Sequence, residues 1–201
     1  MLDWPEVLYF WFGDLDDEGI PDTFHRERWF RSSRSFDQEI RRRFLSLVLV
    51  ASEDGLRHWR TTARGRLAEM LLLDQFSRNI YRGSALAFSN DKVCLRLCHE
   101  GLKEGADTGL PLVQRGFFYM PLQHSERLAD QELAVDLYQQ LAASGRDSLA
   151  PLLEGFFESA RGHRDIIRRF GRFPHRNKVL GRKATEEEVV YLSGGARTFG
   201  Q

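Results

Sequence analysis

Histidine and arginine concentrate in three separated stretches whose residue types could move protons or bind an anion. LDQFSRNIYRG holds Asp74, Gln75, Arg78, Asn79 and Arg82. FYMPLQHSERLADQ holds His124 and Glu126, and GHRDIIRRFGRFPHRNKVLGR holds His163, Arg172, His175, Arg176 and Asn177. Guanidinium keeps its charge in any pocket and grips carboxylate or phosphate through two parallel N–H donors. Imidazole exchanges a proton near neutral pH, and an adjacent carboxylate fixes its tautomer. Brought together, Arg78, Asn79, Arg82, His124, His163, Arg172, His175, Arg176 and Asn177 would line a site for a small anion or a carboxylate-bearing peptide.

The same residues allow an enzyme. His124, His163 or His175 would act as acid or base, Asp74 or Glu126 would orient it, and arginine would stabilise developing negative charge, as a hydrolase needs. Ser125 as nucleophile with His124 as its base is disfavoured, because sequence neighbours seldom present that geometry. A nucleophile elbow, a phosphate-cradling glycine loop, HExxH and CxxC are all missing. His163, His175, Asp74 and Glu126 are competent metal ligands by type, but the arginines around them oppose a cation. Cys94 and Cys98 share a helix face from which His99 is turned about 100° away. No metal and no cofactor is expected.

Each stretch also has a structural reading. Asp74 and Arg78 stand i, i+4 with the acid first and can satisfy one another, which leaves Asn79 and Arg82 unexplained. Glu126 in a first helical turn favours the helix dipole. The loop around Phe173 and Pro174 either braces Asp74 and Glu126 across the core or leaves guanidinium groups aimed at an open anion site. If all three are internal networks, the protein is a helical interaction module whose partner surface lies elsewhere.

The elements that must position these residues are helical. Sustained alternation of β-branched residues is missing, whereas capping and amphipathic signals recur along the chain. Asp3 before Pro5 starts a short aromatic helix that Gly13 ends. Ser35 with Gln38, and Thr185 with Glu188, read as capping boxes, and Thr62, Ser125 and Ser148 as further N-caps. Residues 88–104 form an amphipathic helix that Gly105 stops; Pro121 closes the segment opened by Pro111, and Gly171 stands just past the helix that begins near Ser148. The expectation is an all-α chain of about eight helices in stacked antiparallel hairpins, one domain over 1–201 with a tail frayed from about 194.

The bulk composition fits: 201 residues, 42% hydrophobic and 29% charged, suit one well-buried domain. The longest apolar run, FLSLVLVA, is far short of the roughly 20 residues of a bilayer span. The acidic N-terminus lacks the features of a secretory signal, and two cysteines fit reduced thiols. A cytoplasmic protein without membrane contact is expected. Net charge is zero, yet residues 1–27 hold eight acids against one arginine, and Arg161–Lys183 hold nine bases against one acid. That balance argues against nonspecific nucleic-acid binding and predicts attraction between the ends. The aromatic Trp4, Tyr9, Phe10, Trp11 and Phe12 would then cover the basic motif or complete the core.

Together with the following TEEE, these three stretches resemble the signature segments of a bacterial family, domain of unknown function 924, from about Trp4 to Leu192. The resemblance implies a tetratricopeptide-like fold of stacked helix pairs, and it brings no established activity. One departure is Ser77, where the family usually has Pro in LDQFPRN. That substitution removes an expected kink.

Overall fold

The computed structural model describes residues 3–195. The helices in chain order are α1 (Trp4–Phe12), α2 (Thr23–Trp29), α3 (Arg34–Ser52), α4 (Ala63–Leu71), α5 (Ser77–Ile80), α6 (Asp91–Lys103), α7 (Leu112–His124), α8 (Leu128–Ala143), α9 (Ala150–Phe170) and α10 (Glu186–Ser193). Short 3-10 turns link several of them, and no strand occurs among the described residues. The fold is all-α, as expected. None of these helices is long and apolar enough to cross a membrane. The part of the expected tail beyond residue 195 lies outside the described residues.

Local signals place most helix ends. Asp3 and Thr185 each complete a capping box, with Glu6 and Glu188 returning the bond, and Thr62 caps α4. Gly171 takes the left-handed conformation (φ 69°) that ends α9 at little cost only for glycine. Four boundaries differ from expectation. Ser33, not Ser35, caps α3. Ser125 is not the cap of α8, which starts at Leu128; its hydroxyl donates instead to Asp130 (2.7 Å). Ser148 turns to Glu18 rather than to the start of α9. Pro121 lies inside α7 instead of closing it.

Helix α7 runs through the middle of the molecule, with every residue from Gly116 to Gln123 buried. It packs on α4, α6, α8 and α9. The backbone of α7 comes so close to α9 that a Cβ at Gly116 would meet the Phe156 ring at 2.4 Å. Tyr138 of α8 donates its hydroxyl to the Gly116 carbonyl (2.6 Å). At the N-terminal end, Phe10, Trp11 and Phe12 interlock with Phe36, Phe44, Phe76, Phe117 and Trp29. Rings of this size each bury enough apolar surface to contribute on the order of 2–3 kcal/mol. The aromatic segment therefore completes the core. It does not cover the basic motif, and among the described residues the arginines from Arg161 to Arg182 form their ion pairs with Asp91 and later acids, not with the acidic N-terminal segment.

Beyond the main core, Ile166, Ile167 and Phe173 form a small second cluster joined by Phe170 and Tyr191. It carries the C-terminal arginine loop, so the loop is held by its own apolar footing.

Candidate functional site

Between α4 and α5 the chain widens into a π-helical turn, Leu72–Phe76. Such turns aim side chains that a regular helix would turn elsewhere. Ser77, fully buried, donates to the Leu72 carbonyl (3.0 Å) and accepts from Asn90 Nδ2 (3.1 Å). The helix is thus irregular here even with serine in place of proline, and the hydroxyl ties the widened turn to the start of α6.

This turn forms one wall of a pocket of about 290 Å³. Gln75, Arg78, Asn79 and Arg82 come from it; Met120, Gln123 and His124 come from the end of α7; Ser159 and His163 come from α9. Trp29, Phe30, Arg31 and Ser32, from the end of α2 and the loop that follows, complete the rim. Five residues singled out by sequence therefore meet here: Arg78, Asn79, Arg82, His124 and His163.

Most of their polar groups are already engaged. Asp74, 3% exposed beneath the pocket, accepts from His124 Nδ1 (2.8 Å), Arg78 Nε (2.9 Å) and Gln75 Nε2 (2.6 Å). Burial alone would raise this carboxyl, but His124, Arg78 and the hydrogen bonds from His124 and Gln75 hold it well below the usual carboxylate range. Arg78 also reaches Asp91 (2.8 Å). Arg82 grips Asp37 through two bonds (2.7 and 2.9 Å) and donates to Asn79 Oδ1 (2.9 Å). Both arginines are neutralised by neighbouring acids, which answers what Asn79 and Arg82 are for: they fix the wall.

The two imidazoles lie 6.0 Å apart, centre to centre. Burial lowers His124 against the pull of Asp74. His163 is pushed well below the ordinary histidine value, first by burial and then by His124. Both shifts favour the neutral rings. An ionised carboxylate only accepts, so His124 carries its proton on Nδ1. The Ser159 carbonyl fixes the same tautomer in His163 (Nδ1 to O, 2.8 Å).

Two pocket residues were missed in the sequence reading. The exposed Arg31 side chain has no ion pair, hydrogen bond or ring contact among the described residues. Gln123 is 4% exposed, and its Oε1 has no hydrogen-bond partner among the described residues. An orphaned buried carbonyl costs roughly 1–3 kcal/mol. The signal for Gln123 was its position directly before His124. Arg31, in the loop WFRSSRSF, offered none beyond its aromatic neighbours.

The C-terminal loop does not join the pocket. Arg172 is bound by Glu188 through two short contacts (2.6 and 2.7 Å). Hydrogen bonds from Arg172 hold the Glu188 carboxyl down at about 2. Asn177 donates to Glu188 (3.2 Å) and accepts from Arg182 (2.9 Å). Arg182 spans both oxygens of Glu126, which also accepts the Phe173 N–H (2.8 Å). Glu126 thus anchors the loop and neither orients His124 nor serves the start of α8. Arg176, between the rings of Phe88 and Phe173, reaches Asp91 (3.3 Å). Burial and the nearby Arg78 lower it to about 10. His175 is pushed down to about 4 by burial and by Arg176 and Arg78. Of the two alternatives for this loop, the geometry is that of a brace, with Glu126, Glu188 and Asp91 as the braced acids rather than Asp74.

Outside the site, the Cys94 and Cys98 thiols donate to the carbonyls of Met70 and Phe118. Burial pushes both thiols up, so they stay protonated and behave as small apolar groups.

The model of a family of bacterial proteins of unknown function, DUF924, matches residues 7–196. A solved structure of a protein of unknown function from Agrobacterium tumefaciens is 35% identical, covers 96% of this chain and 97% of its own, and superposes with a TM-score of 0.81. No curated protein matches.

Proposed function

The chain belongs to the DUF924 family of bacterial proteins of unknown function, and we propose that it binds a small carboxylate-bearing molecule in the pocket between α5, α7 and α9. One observation carries this: Arg31 stands at the rim without a partner among the described residues, while Arg78 and Arg82 in the wall are already neutralised. A guanidinium offering two parallel donors to a partly enclosed space recognises carboxylate by shape as well as charge. The aromatic rim residues Trp29 and Phe30 suit an apolar body on the ligand. In this reading Arg172, His175, Arg176 and Asn177 hold the scaffold and do not touch the ligand. The stacked, tetratricopeptide-like helix pairs and a cytoplasmic setting belong to the same proposal.

Calorimetric titration with 3-phenylpropionate tests it. Arg31→Ala should weaken binding about tenfold or more, the worth of one charged hydrogen-bonded contact. Equal affinity of wild type and Arg31→Ala would remove the carboxylate site.

A hydrolase is the second reading, favoured by the Asp74–His124 contact alone. A buried carboxylate that fixes the imidazole proton on Nδ1 leaves Nε2 able to take a proton from water. Turnover of 4-nitrophenyl acetate above the buffer rate, lost in His124→Ala, would support this role. Equal rates for the two proteins would dismiss it.

A further inference from the structure

We infer that the carboxylate held by Arg31 is the C-terminus of a peptide. Its terminal side chain enters the pocket between α5, α7 and α9, and the chain runs along a second hollow between α2 and α3, where Glu27 takes a basic residue. This rests on the reading of Arg31 as the carboxylate anchor and narrows its ligand.

The place of Arg31 comes first. A second hollow, of about 440 Å³, lies between α2 and α3, and Arg31 and Ser32 line it as well as the first pocket. A carboxylate gripped at this junction has space on two sides. A linear acid such as 3-phenylpropionate carries its carboxylate at one end and fills only one of them. In the last residue of a peptide the carboxylate stands on a carbon that also bears a side chain and an acylated nitrogen, so one anchored group sends a branch each way. The two hollows suit different branches. Trp29, Phe30 and Met120 give the first an apolar lining for a side chain. Serine hydroxyls and charged groups line the second, which suits a peptide backbone with polar side chains.

Charge then selects the residue. In the second hollow Arg28 is paired with Glu39 (3.0 Å) and lies over the rings of Phe24 and Phe36 (4.6 and 4.1 Å). Glu27, exposed on α2, has no ion pair or hydrogen bond among the described residues. With Arg31 occupied by the terminal carboxylate, Glu27 is the charge left over there, and a lysine or arginine of the ligand answers it. Two exposed rings flank the same path, Phe24 (64%) on the second hollow and Phe30 (60%) on the first. One such ring is ordinary. A pair set on either side of an unpaired arginine offers apolar contact to both branches.

Four probes test this: 3-phenylpropionate, acetyl-Lys-Lys-Phe and acetyl-Gln-Gln-Phe with free C-termini, and the C-terminal amide of acetyl-Lys-Lys-Phe. Lysine at both positions makes the register immaterial. In calorimetry on the wild-type chain, acetyl-Lys-Lys-Phe should bind at least about tenfold tighter than 3-phenylpropionate. It should also bind about threefold tighter than the glutamine peptide, in the range of an exposed ion pair. Glu27→Gln should bring the two peptides together and leave the affinity for 3-phenylpropionate unchanged, which also certifies the fold of the variant. Equal affinity of acetyl-Lys-Lys-Phe and 3-phenylpropionate overturns the peptide, as does a lysine preference that is absent or survives Glu27→Gln; Arg31-dependent binding of 3-phenylpropionate then leaves the carboxylate site standing. If the amide binds as tightly as the free acid, or no probe binds at about 10 mM, in the weak range of small-ligand affinity, both readings fall together.

Discussion

The pocket and the C-terminal loop draw on the same residue types and end in opposite states. In the loop, Arg172, Arg176 and Arg182 each meet an acid, although the buried Arg176 Nε has no hydrogen-bond partner among the described residues, and Asn177 bridges two of these networks. In the pocket, the wall arginines are neutralised in the same way, but Arg31 and the Gln123 amide are left over. A cluster of arginine and histidine is therefore no measure of a binding site. What distinguishes one is spare capacity that faces an open space, as the exposed Arg31 does at the pocket rim and the buried Arg176 Nε does not.

The two regions share one residue, Asp91, which holds Arg78 of the pocket wall and Arg176 of the loop. Both guanidinium groups are buried; Asp91→Ala should strand the charge of Arg176 and leave Arg78 with Asp74 alone, at a cost on the order of 3–5 kcal/mol. Urea unfolding measures this; a loss under about 1 kcal/mol, the worth of a surface pair, would mean that the loop does not brace the pocket. Glu188→Gln comes next. It leaves Arg172, Asn177 and the Thr185 N–H to share a weaker acceptor, and a loss of about 1–3 kcal/mol is expected. Ligand affinity should be unchanged, because this network lies outside the pocket.

Acid should separate the two regions further. His175, lowered to about 4 in the folded protein, binds a proton in the unfolded chain at a pH about two and a half units higher. The unfolded state thus takes up more protons as pH falls from about 6.5 towards 4, and stability drops across that window, by roughly 3 kcal/mol from this group. Glu188 adds a second, lower window, between its ordinary 4.5 and about 2. His175→Gln should flatten the upper window in pH-dependent thermal unfolding, and an unchanged slope there would assign it to His124 and His163 instead.

The all-α architecture was legible because caps and periodicity are local: Asp3, Thr62, Gly171 and the Thr185–Glu188 box act within a few residues of themselves. Serine was less reliable, since Ser125 and Ser148 had distant acceptors, Asp130 and Glu18, that competed with the capping role. The pocket's inner wall was half legible. Residue type marked Arg78, Asn79, Arg82, His124 and His163, and the fold brought them together. The same criterion marked Arg172, His175, Arg176 and Asn177; the acids that hold Arg172, Arg176 and Asn177, namely Glu188 and Asp91, lie 11 and more residues away. Pairing at such separation is a tertiary property, and no spacing rule along a helix reports it. Arg31 went unnoticed for the converse reason: what matters about it is a partner it lacks.

The smallest effect expected on stability is at Arg31, and it divides the two regions most sharply. An exposed side chain with no partner among the described residues stabilises nothing that unfolding would release, so Arg31→Ala should leave the unfolding free energy within about 0.5 kcal/mol of wild type. Arg172→Ala, by contrast, breaks a paired carboxylate contact and should lower it measurably. The ligand reverses the order: Arg31→Ala should abolish the stabilisation that a bound carboxylate gives by mass action, and Arg172→Ala should retain it. Thermal unfolding of the two variants with and without 3-phenylpropionate reads both halves in one experiment. A stability loss in Arg31→Ala as large as that in Arg172→Ala would place Arg31 in a network like the loop's, and the difference between the regions would dissolve.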